Sequence, residues 1–250
     1  MRSSQALAQS LFGNLCELKR LDALAGLPAE NTQLAGSEQP AFFTSGRGWT
    51  ASLEYSVDYL GEPTSTSVDV LLTGSARVAV ECKLAESDIG SCSRPRLQEM
   101  DPGYCNGSYA VQKTRTQRCA LTERGVKYWE HVPAILGIPN DVDHRECPLN
   151  ATYQLVRNVL AACVSREGKF CPDGGHALLL YDARNPAFAL GGAGLKAFNV
   201  VTADLRDPGL LRRCSWQQVL GWIARHNDLT WLANELSAKY GIGPATPERS

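Results

Sequence analysis

Apolar positions in the first third of the chain follow a helical period and then a strand period. Leucines at helical spacing predict one amphipathic helix over residues 3–25, namely Leu7, Leu11, Leu15 and Leu18. Alternating apolar and polar side chains predict a strand over residues 53–59. Two further apolar runs, residues 67–72 and 77–84, flank Gly74-Ser75 and predict a hairpin of buried strands. The opening of the chain is therefore predicted to run helix, strand, strand, strand.

The rest of the chain divides into an irregular stretch and a second set of regular elements. Frequent glycines and prolines predict an inserted irregular subdomain at about residues 85–150. A helix is expected over residues 152–164, and a strand over residues 176–181, whose continuous apolar run suits an inner position in a sheet. Residues 203–240 are expected to form two helices. Residues 31–48 predict a loop and the last ten residues a frayed tail.

Three charged residues interrupt the apolar hairpin. Asp69 lies on the first strand, and Glu81 and Lys83 lie on the second. Because side chains alternate across a strand, Glu81 and Lys83 project from one face, roughly 7 Å apart. A pairing that aims Asp69 at this face would gather two carboxylates and an ammonium, a set that can hold a divalent metal and activate a water. The alternative is a cross-strand ion pair without a catalytic role.

These residues resemble the signature of the PD-(D/E)xK nuclease superfamily. Asp69 matches the first acid, Glu81 the second acid and Lys83 the lysine, while Val68 stands where the motif has proline. The resemblance implies that Asp69 and Glu81 bind Mg²⁺ or Mn²⁺, with the carbonyl of Cys82 as a further ligand. It implies that Lys83 orients the attacking water or offsets developing charge.

The same resemblance implies a fold and a reaction. The fold is α/β and restriction-endonuclease-like, with a central mixed sheet flanked by helices. We expect one nuclease domain over residues 1–250 that carries a cysteine-bearing insertion at about 85–150. The implied reaction is hydrolysis of DNA phosphodiester bonds that leaves a 5′-phosphate, in restriction, phage defence or repair.

Further site residues follow from the resemblance alone. Gln154 is similar to the glutamine that RecB-like members place on the helix after the motif strand, although Asn158 stands where those members have tyrosine. Arg157 lies three residues further along this helix and is a candidate for bidentate contact with a phosphate; the alternative is an ordinary residue at the start of a helix. Glu54 and Glu17 are candidates for an extra upstream acid, with ordinary surface charge as the alternative.

The cysteines suggest a second metal site. The chain has nine cysteines, and an odd number argues against a complete disulfide framework. Four of them stand in polar, turn-rich contexts that are poor for core packing, namely Cys92, Cys105, Cys119 and Cys147. Four thiolates suit zinc or an iron–sulfur cluster, although no Cys-x-x-Cys pair occurs. His131 or His144 is an alternative ligand in a zinc site.

Composition describes an ordinary globular protein, with 44% hydrophobic and 20% charged residues. The net charge of −1 gives no general sign of nucleic-acid binding. Residues 94–127, however, carry seven basic against three acidic side chains, which suits phosphates or a solvated surface. The start lacks the apolar core of a signal peptide, and no apolar run reaches about eighteen residues. We therefore expect a cytoplasmic protein without a membrane span.

Two other functions remain as alternatives to a nuclease. One is a non-catalytic nucleic-acid-binding or assembly module with the same fold. The intact set of Asp69, Glu81 and Lys83 favours an active enzyme over this module, since a decayed site usually loses one member. The other is a regulatory metal protein built around the four cysteines.

Overall fold

A computed structural model describes most of the chain, namely residues 3–30, 39–45, 48–63, 66–113 and 115–243. Residues 31–38 and 46–47 of the predicted loop, and residues 244–250 of the predicted tail, lie outside these ranges. Within the described ranges, no helix is long and apolar enough to cross a bilayer.

Five strands form one mixed sheet in the order β1-β2-β3-β4-β5. They are β1 (Thr50–Val57), β2 (Thr66–Thr73), β3 (Arg77–Cys82), β4 (Gly175–Tyr181) and β5 (Leu211–Ser215). The first three strands pair antiparallel, whereas β3, β4 and β5 pair parallel. The apolar run predicted as an inner strand is β4, which lies between β3 and β5, so that prediction is confirmed.

Helices cover both faces of this sheet. They are α1 (Ser4–Glu17), α2 (Ala120–Glu123), α3 (Tyr128–Ile135), α4 (Tyr153–Cys163), α5 (Ala193–Asp204), α6 (Trp216–Ile223) and α7 (Thr230–Tyr240). One apolar core lies between the sheet and helices α1, α6 and α7. A second core lies between the opposite face and helices α3, α4 and α5. The fold is therefore α/β, a mixed sheet flanked by helices, and it is compatible with a restriction-endonuclease-like core.

The predicted hairpin is confirmed. Strands β2 and β3 are joined by residues 74–76, and Val70 pairs with Val80 across the ladder. The apolar face of the second strand packs into the first core as expected, through Val78, Val80, Cys82 and Leu84. Because alternate side chains point to opposite faces, Glu81 is directed toward the second core and helix α4.

Two predicted helical regions differ from the structure. Helix α1 ends at Glu17 instead of near residue 25, because the backbone of Lys19 takes a left-handed φ of 56°. Residues 203–240 contain a strand in addition to the two predicted helices. Helix α5 ends at Asp204, and residues 211–215 form strand β5 before α6 and α7 begin. The short segment is a strand because its backbone pairs with β4.

The segment between β3 and α4 contains only short elements. Besides α2 and α3, it has one 3-10 turn at Arg94–Arg96 and an isolated antiparallel bridge between Tyr109 and His144. The ring of Tyr109 stacks on that of Trp129, with centroids 3.8 Å apart, and both residues belong to the second core. This segment is therefore packed onto the α4 side of the sheet despite its lack of long helices or strands.

Candidate active site

The three charged residues of the hairpin meet at one end of the β2–β3 ladder. Since Val70 pairs with Val80, the next position brings Asp69 opposite Glu81. The Oδ2 atom of Asp69 accepts a hydrogen bond of 2.7 Å from the backbone N–H of Cys82. The Nζ atom of Lys83 lies 2.8 Å from Oε1 of Glu81. The structure thus brings together the two acids and the lysine that the sequence singled out.

The backbone of Lys83 is held firmly at the end of β3. Its N–H donates to the carbonyl of Leu180 on β4 at 2.7 Å. Its carbonyl accepts from the N–H of Asp182 at 3.2 Å and from Nε1 of the buried Trp216 at 3.1 Å. Partners from two distant parts of the chain, the end of β4 and the start of α6, therefore fix the point from which the Lys83 side chain projects.

Helix α4 contributes two amide side chains to the same site. Gln154 donates from Nε2 to Oε1 of Glu81 at 2.7 Å, and Asn158 donates from Nδ2 to Oε2 at 2.9 Å. The two amides are four residues apart and therefore share one helix face. Glu81 is only 3% exposed, and these amides together with Lys83 satisfy a carboxylate that would otherwise be costly to bury. Asn158 was noted in the sequence only as a departure from the superfamily pattern.

Burial and neighbouring charges shift the pKa values of Asp69 and Lys83. Burial, followed by the charge of Glu81, raises the pKa of Asp69 from 3.8 to about 7. Burial acts to lower the pKa of Lys83, but the carboxylates of Glu81 and Asp69 outweigh it and the net shift is upward. The ammonium therefore stays protonated at neutral pH. Asp69 therefore resists ionisation mainly because it is buried, and the neighbouring carboxylate of Glu81 adds to the effect.

Arg157 occupies a structural position, contrary to the phosphate contact expected from the sequence. Its guanidinium donates to Oδ1 of Asn158 and to the carbonyl of Ser67, each at 2.9 Å, and the residue is only 5% exposed. These bonds hold α4 against β2 and orient the Asn158 amide toward Glu81. A guanidinium that is buried in this way is not presented to a nucleic-acid backbone.

The two upstream acids do not bond to this group. Glu54 is exposed, and its Oε1 accepts from Gln5 and Gln9 of α1, each at 2.6 Å. Glu17 is exposed at the other end of the same helix. Glu54 therefore joins β1 to α1. Glu17 lies on the surface, the position that was given as the alternative to an extra site acid.

Glu86 is an acid near the site that the sequence did not reveal. Its carboxylate accepts from the backbone N–H of Leu84 and from the hydroxyl of Ser4, each at 2.5 Å. Burial acts to raise the pKa of Glu86, but these hydrogen bonds outweigh it, so the pKa is lowered. The charge of Glu86 also contributes to the raised pKa of Lys83. Loop sequences have no hydrophobic period, so the position of Glu86 near the site is evident only from its contacts.

The four cysteines singled out in the sequence line one small cavity of about 20 Å³, although the first and the last, Cys92 and Cys147, are 55 positions apart. Burial raises the pKa of the Cys147 thiol to about 12, with smaller contributions from the other three sulfurs. Neither His131 nor His144 is among the residues that line this cavity. Among the described residues, no group of three or more His, Cys, Asp or Glu side chains is arranged as the ligands of a metal ion.

Two other cavities are of interest, and none of the three charged hairpin residues lines either of them. A cleft of about 190 Å³ is lined by Arg94 and Arg124 together with Tyr153, the neighbour of Gln154. A larger cavity of about 630 Å³ lies by the end of α1 and the start of β1, and none of the three charged hairpin residues lines it. The smaller cleft is the relevant one, because it adjoins the helix that contacts Glu81; Glu62 lines it as well as the two arginines.

A family model described as Restriction Endonuclease associating with ARP matches residues 1–241. No curated protein and no solved structure matched the chain. The family match covers the hairpin, helix α4 and the cysteine-bearing segment alike.

Proposed function

Because this chain belongs to the family described as Restriction Endonuclease associating with ARP, we propose that it is a metal-dependent nuclease that hydrolyses DNA phosphodiester bonds. One observation carries the proposal, namely that Asp69, Glu81 and Lys83 converge at one end of the hairpin. The fold and the family match support a nuclease-like role, and the chemistry of these side chains supports the reaction.

The residues at this site fit a hard divalent cation. The carboxylates of Asp69 and Glu81 are the oxygen ligands that Mg²⁺ or Mn²⁺ prefers, and the carbonyl of Cys82 is a further candidate. Burial, followed by the charge of Glu81, raises the pKa of Asp69, and a bound cation would favour the ionised form of this carboxyl. When bound, the metal would polarise the phosphodiester and lower the pKa of the attacking water.

Lys83 and Gln154 have distinct roles in this proposal. The ammonium of Lys83 lies beside Glu81, where it would orient the water or stabilise negative charge that develops on the oxygens of the phosphorane. Gln154 donates to Oε1 of Glu81, the same oxygen that Lys83 contacts, so its amide is a candidate contact for the scissile phosphate. Arg157 acts only through Asn158 and is a positioning residue.

The substrate path would run along the basic segment beside α4. Arg94 and Arg124 line the cleft next to Tyr153, while Arg96 and Lys127 are exposed. Positive side chains on such a path would neutralise phosphates without reading base sequence. The family description also names an association with ARP, and we infer that this chain works beside a partner protein of that name.

A second candidate function is a DNA-binding or assembly module that has lost activity. The closed contact between Lys83 and Glu81, with Glu81 only 3% exposed, favours this alternative, because a buried ion pair can serve structure alone. The two functions differ in what happens to a DNA strand when metal is added.

Cleavage of supercoiled plasmid is the direct test. The wild-type protein should nick or linearise plasmid in Mg²⁺ or Mn²⁺ and stop when a chelator is added. Glu81→Gln and Lys83→Met should reduce cutting by more than about a hundredfold, because each removes a group that acts on the transition state. DNA binding measured in chelator should change little.

Asp58→Asn is the matched control. Asp58 is an exposed acid just after β1 and lies apart from the converged side chains, so its loss should leave cutting unchanged. Wild-type protein that binds DNA but cuts nothing in either metal, with the ARP partner present as well as absent, would support the inactive module instead.

A further inference from the structure

We infer that Arg94 and Arg124 together bind one phosphate group of a DNA strand, beside the carboxylates of the proposed active site. The inference rests on the proposed function, because that function supplies the DNA, but it is tested by binding and does not require cleavage. The two arginines are 30 positions apart, on a 3-10 turn and just after α2. Both line the cleft of about 190 Å³ next to α4.

Gly103 shows how closely the two arginine side chains approach each other. A Cβ atom at this buried glycine would lie 3.0 Å from Nη1 of Arg94 and 3.5 Å from Nη1 of Arg124. Both guanidinium groups therefore reach one point. Gly103 does not have a left-handed φ, so its backbone conformation does not require glycine. What the missing Cβ permits is the close approach of the two guanidinium groups.

Neither arginine has a carboxylate partner. Within the described ranges of the chain, neither forms an ion pair with an acidic side chain. Nη2 of Arg94 donates to the hydroxyl of Ser93 at 3.2 Å, while Nε of Arg94 is buried and has no hydrogen-bond partner. Two positive groups that reach one point repel each other unless an anion lies between them. A phosphate would supply both the missing negative charge and the acceptor oxygens.

The acids near the two arginines are bound to other groups. Glu62 lines the same cleft, but its carboxylate accepts from the backbone N–H of Thr66 and from two tyrosine hydroxyls. Oδ1 of Asp101 lies near the same point as the arginines, where it accepts from the N–H of Gly103 at 2.6 Å. Asp101 offsets part of the positive charge from a distance, and a bound anion would offset the rest.

The position of the cleft favours a DNA phosphate as this anion. Thr66 lines the cleft on β2, three residues before Asp69, which is about 10 Å along a strand. Tyr153 lines it on α4, next to Gln154, which donates to Glu81. A DNA strand that presents one phosphate to the carboxylates would therefore bring a neighbouring phosphate to the cleft. Two guanidinium groups around that phosphate would fix the position of the strand without reading its sequence.

Binding of a short DNA duplex by the full-length protein in chelator tests whether the arginines share one phosphate. Arg94→Gln and Arg124→Gln should each weaken binding by roughly tenfold. The double variant should bind only slightly less well than either single variant, because the loss of one guanidinium already disrupts the pair. In the double variant, the slope of log affinity against log salt should fall by about one phosphate instead of two.

Additive losses of affinity, or a slope that falls by two phosphates, would overturn the inference. Arg145→Gln is the control and should bind DNA as wild type does, because Arg145 is exposed and does not line the cleft. A wild-type protein that shows the shared phosphate but cuts no DNA in metal would contradict the proposed nuclease alone. Normal cutting together with additive losses would contradict the shared phosphate alone.

Duplexes with different ends identify which phosphate is bound. Binding is compared for duplexes with 5′-phosphate ends, with 5′-hydroxyl ends and with closed ends. Equal affinities that Arg94→Gln reduces alike would identify an internal phosphodiester. Tighter binding of the 5′-phosphate ends that is lost in Arg94→Gln would identify a terminal phosphate. Affinities that Arg94→Gln leaves unchanged on all three duplexes would refute the site.

Gly103→Ala displaces the guanidinium of Arg94 without removing a charge. The added Cβ would meet the flexible end of the Arg94 side chain, so the melting temperature should stay near that of wild type. DNA binding should weaken several-fold. Gly13→Ala is the matched control, because no atom lies within 4 Å of its added Cβ. Wild-type DNA binding by Gly103→Ala would show that the close approach of the two arginines has no part in binding.

Discussion

At the scale of single residues, the two carboxylates of the site differ in the donors that surround them. Glu81 receives three donors, from Lys83, Gln154 and Asn158, and is stable as a buried anion. Asp69 has the backbone N–H of Cys82 as its hydrogen-bond donor, and its pKa is raised to about 7. The two acids are therefore unequal, and Asp69 is the one that destabilises the metal-free protein when it ionises.

Asp69→Asn should stabilise the metal-free protein while it abolishes cutting. The amide can still accept from the Cys82 N–H but carries no charge beside Glu81. At pH 8 in chelator we expect the free energy of unfolding to rise by roughly 1–2 kcal/mol, less than the full pKa shift implies because Asp69 is partly exposed. Urea denaturation measures this change. A clear loss of stability would mean that Asp69 serves as a structural anion.

The same residue predicts a pH dependence. Since the folded pKa of Asp69 lies above its unfolded value, its contribution to stability is present below about pH 4 and is lost as the pH rises through about 7. The free energy of unfolding of wild type should therefore fall relative to Asp69→Asn across this window in chelator. Acid effects of other groups, such as buried His176, cancel in the difference. Added Mg²⁺ should reverse the trend, since a metal favours the ionised carboxylate.

At the scale of elements, the site depends on how α4 is held against the hairpin. Gln154 and Asn158 reach Glu81 only if the helix keeps its rotation and height relative to β3. Two contacts control this placement. The loop after β3 passes close to Gln154 at Gly90, and the side chain of Arg77 on β3 binds the carboxyl end of the helix.

Gly90→Ala should impair the site by displacing Gln154. Gly90 has a φ of 116°, and a Cβ there would lie 1.9 Å from Oε1 of Gln154. Gly168→Ala is the matched control, because Gly168 has a φ of 77° but no atom within 4 Å of the added Cβ. Both should lose about 1 kcal/mol through backbone strain. Only Gly90→Ala should also slow plasmid cutting, by tenfold or more, and equal activities would exclude a role for Gln154.

Arg77→Met should lower stability but not chemistry. The guanidinium donates to the carbonyls of Ala161 at 2.6 Å and Val164 at 3.0 Å, and it also bonds the Tyr59 hydroxyl. Cations stabilise helix carboxyl ends, and these bonds together should be worth about 2–3 kcal/mol. The melting temperature reports the loss. At temperatures well below the melting temperature, the rate of plasmid cutting per folded molecule should stay near that of wild type. A large drop in this rate would show that Arg77 also fixes the position of α4 relative to Glu81.

At the scale of the whole molecule, one sheet separates two cores and carries the site at one end of its inner strands β2 and β3. The α1, α6 and α7 side contains Trp216, which fixes the carbonyl of Lys83, while the α4 side supplies the amides that bind Glu81. Helices on both faces of the sheet therefore hold Glu81 and Lys83 in place. Neither half would retain the site if it were cut away from the other.

The two cores should unfold together. Hydrogen exchange of α7, in the first core, and of α4, in the second, should lose protection at the same urea concentration, because the two cores share every central strand. Mass spectrometry of peptides from both helices measures this. Release of α4 at a clearly lower concentration than α7 would instead identify two separately folding units and contradict the prediction of one domain.

The sequence by itself determined the elements whose signal is local. The hairpin, α4 and β4 follow from apolar period and turn residues, and Asp69, Glu81 and Lys83 stand out because charges rarely interrupt buried strands. Strand β5 escaped prediction because its five residues include Arg212 and Arg213, and it is a strand only through pairing with β4. Short segments without a period take the conformation that their neighbours impose.

Only the tertiary structure decided which side chains share a site. Gln154 and Glu81 are 73 positions apart, Ser4 and Glu86 are 82 apart, and nothing local marks either pair. The burial of Arg157 and the convergence of four dispersed cysteines were likewise settled by packing. The physical reason is that hydrophobic period reports which face of an element is buried, whereas a polar contact depends on the position of two elements relative to one another.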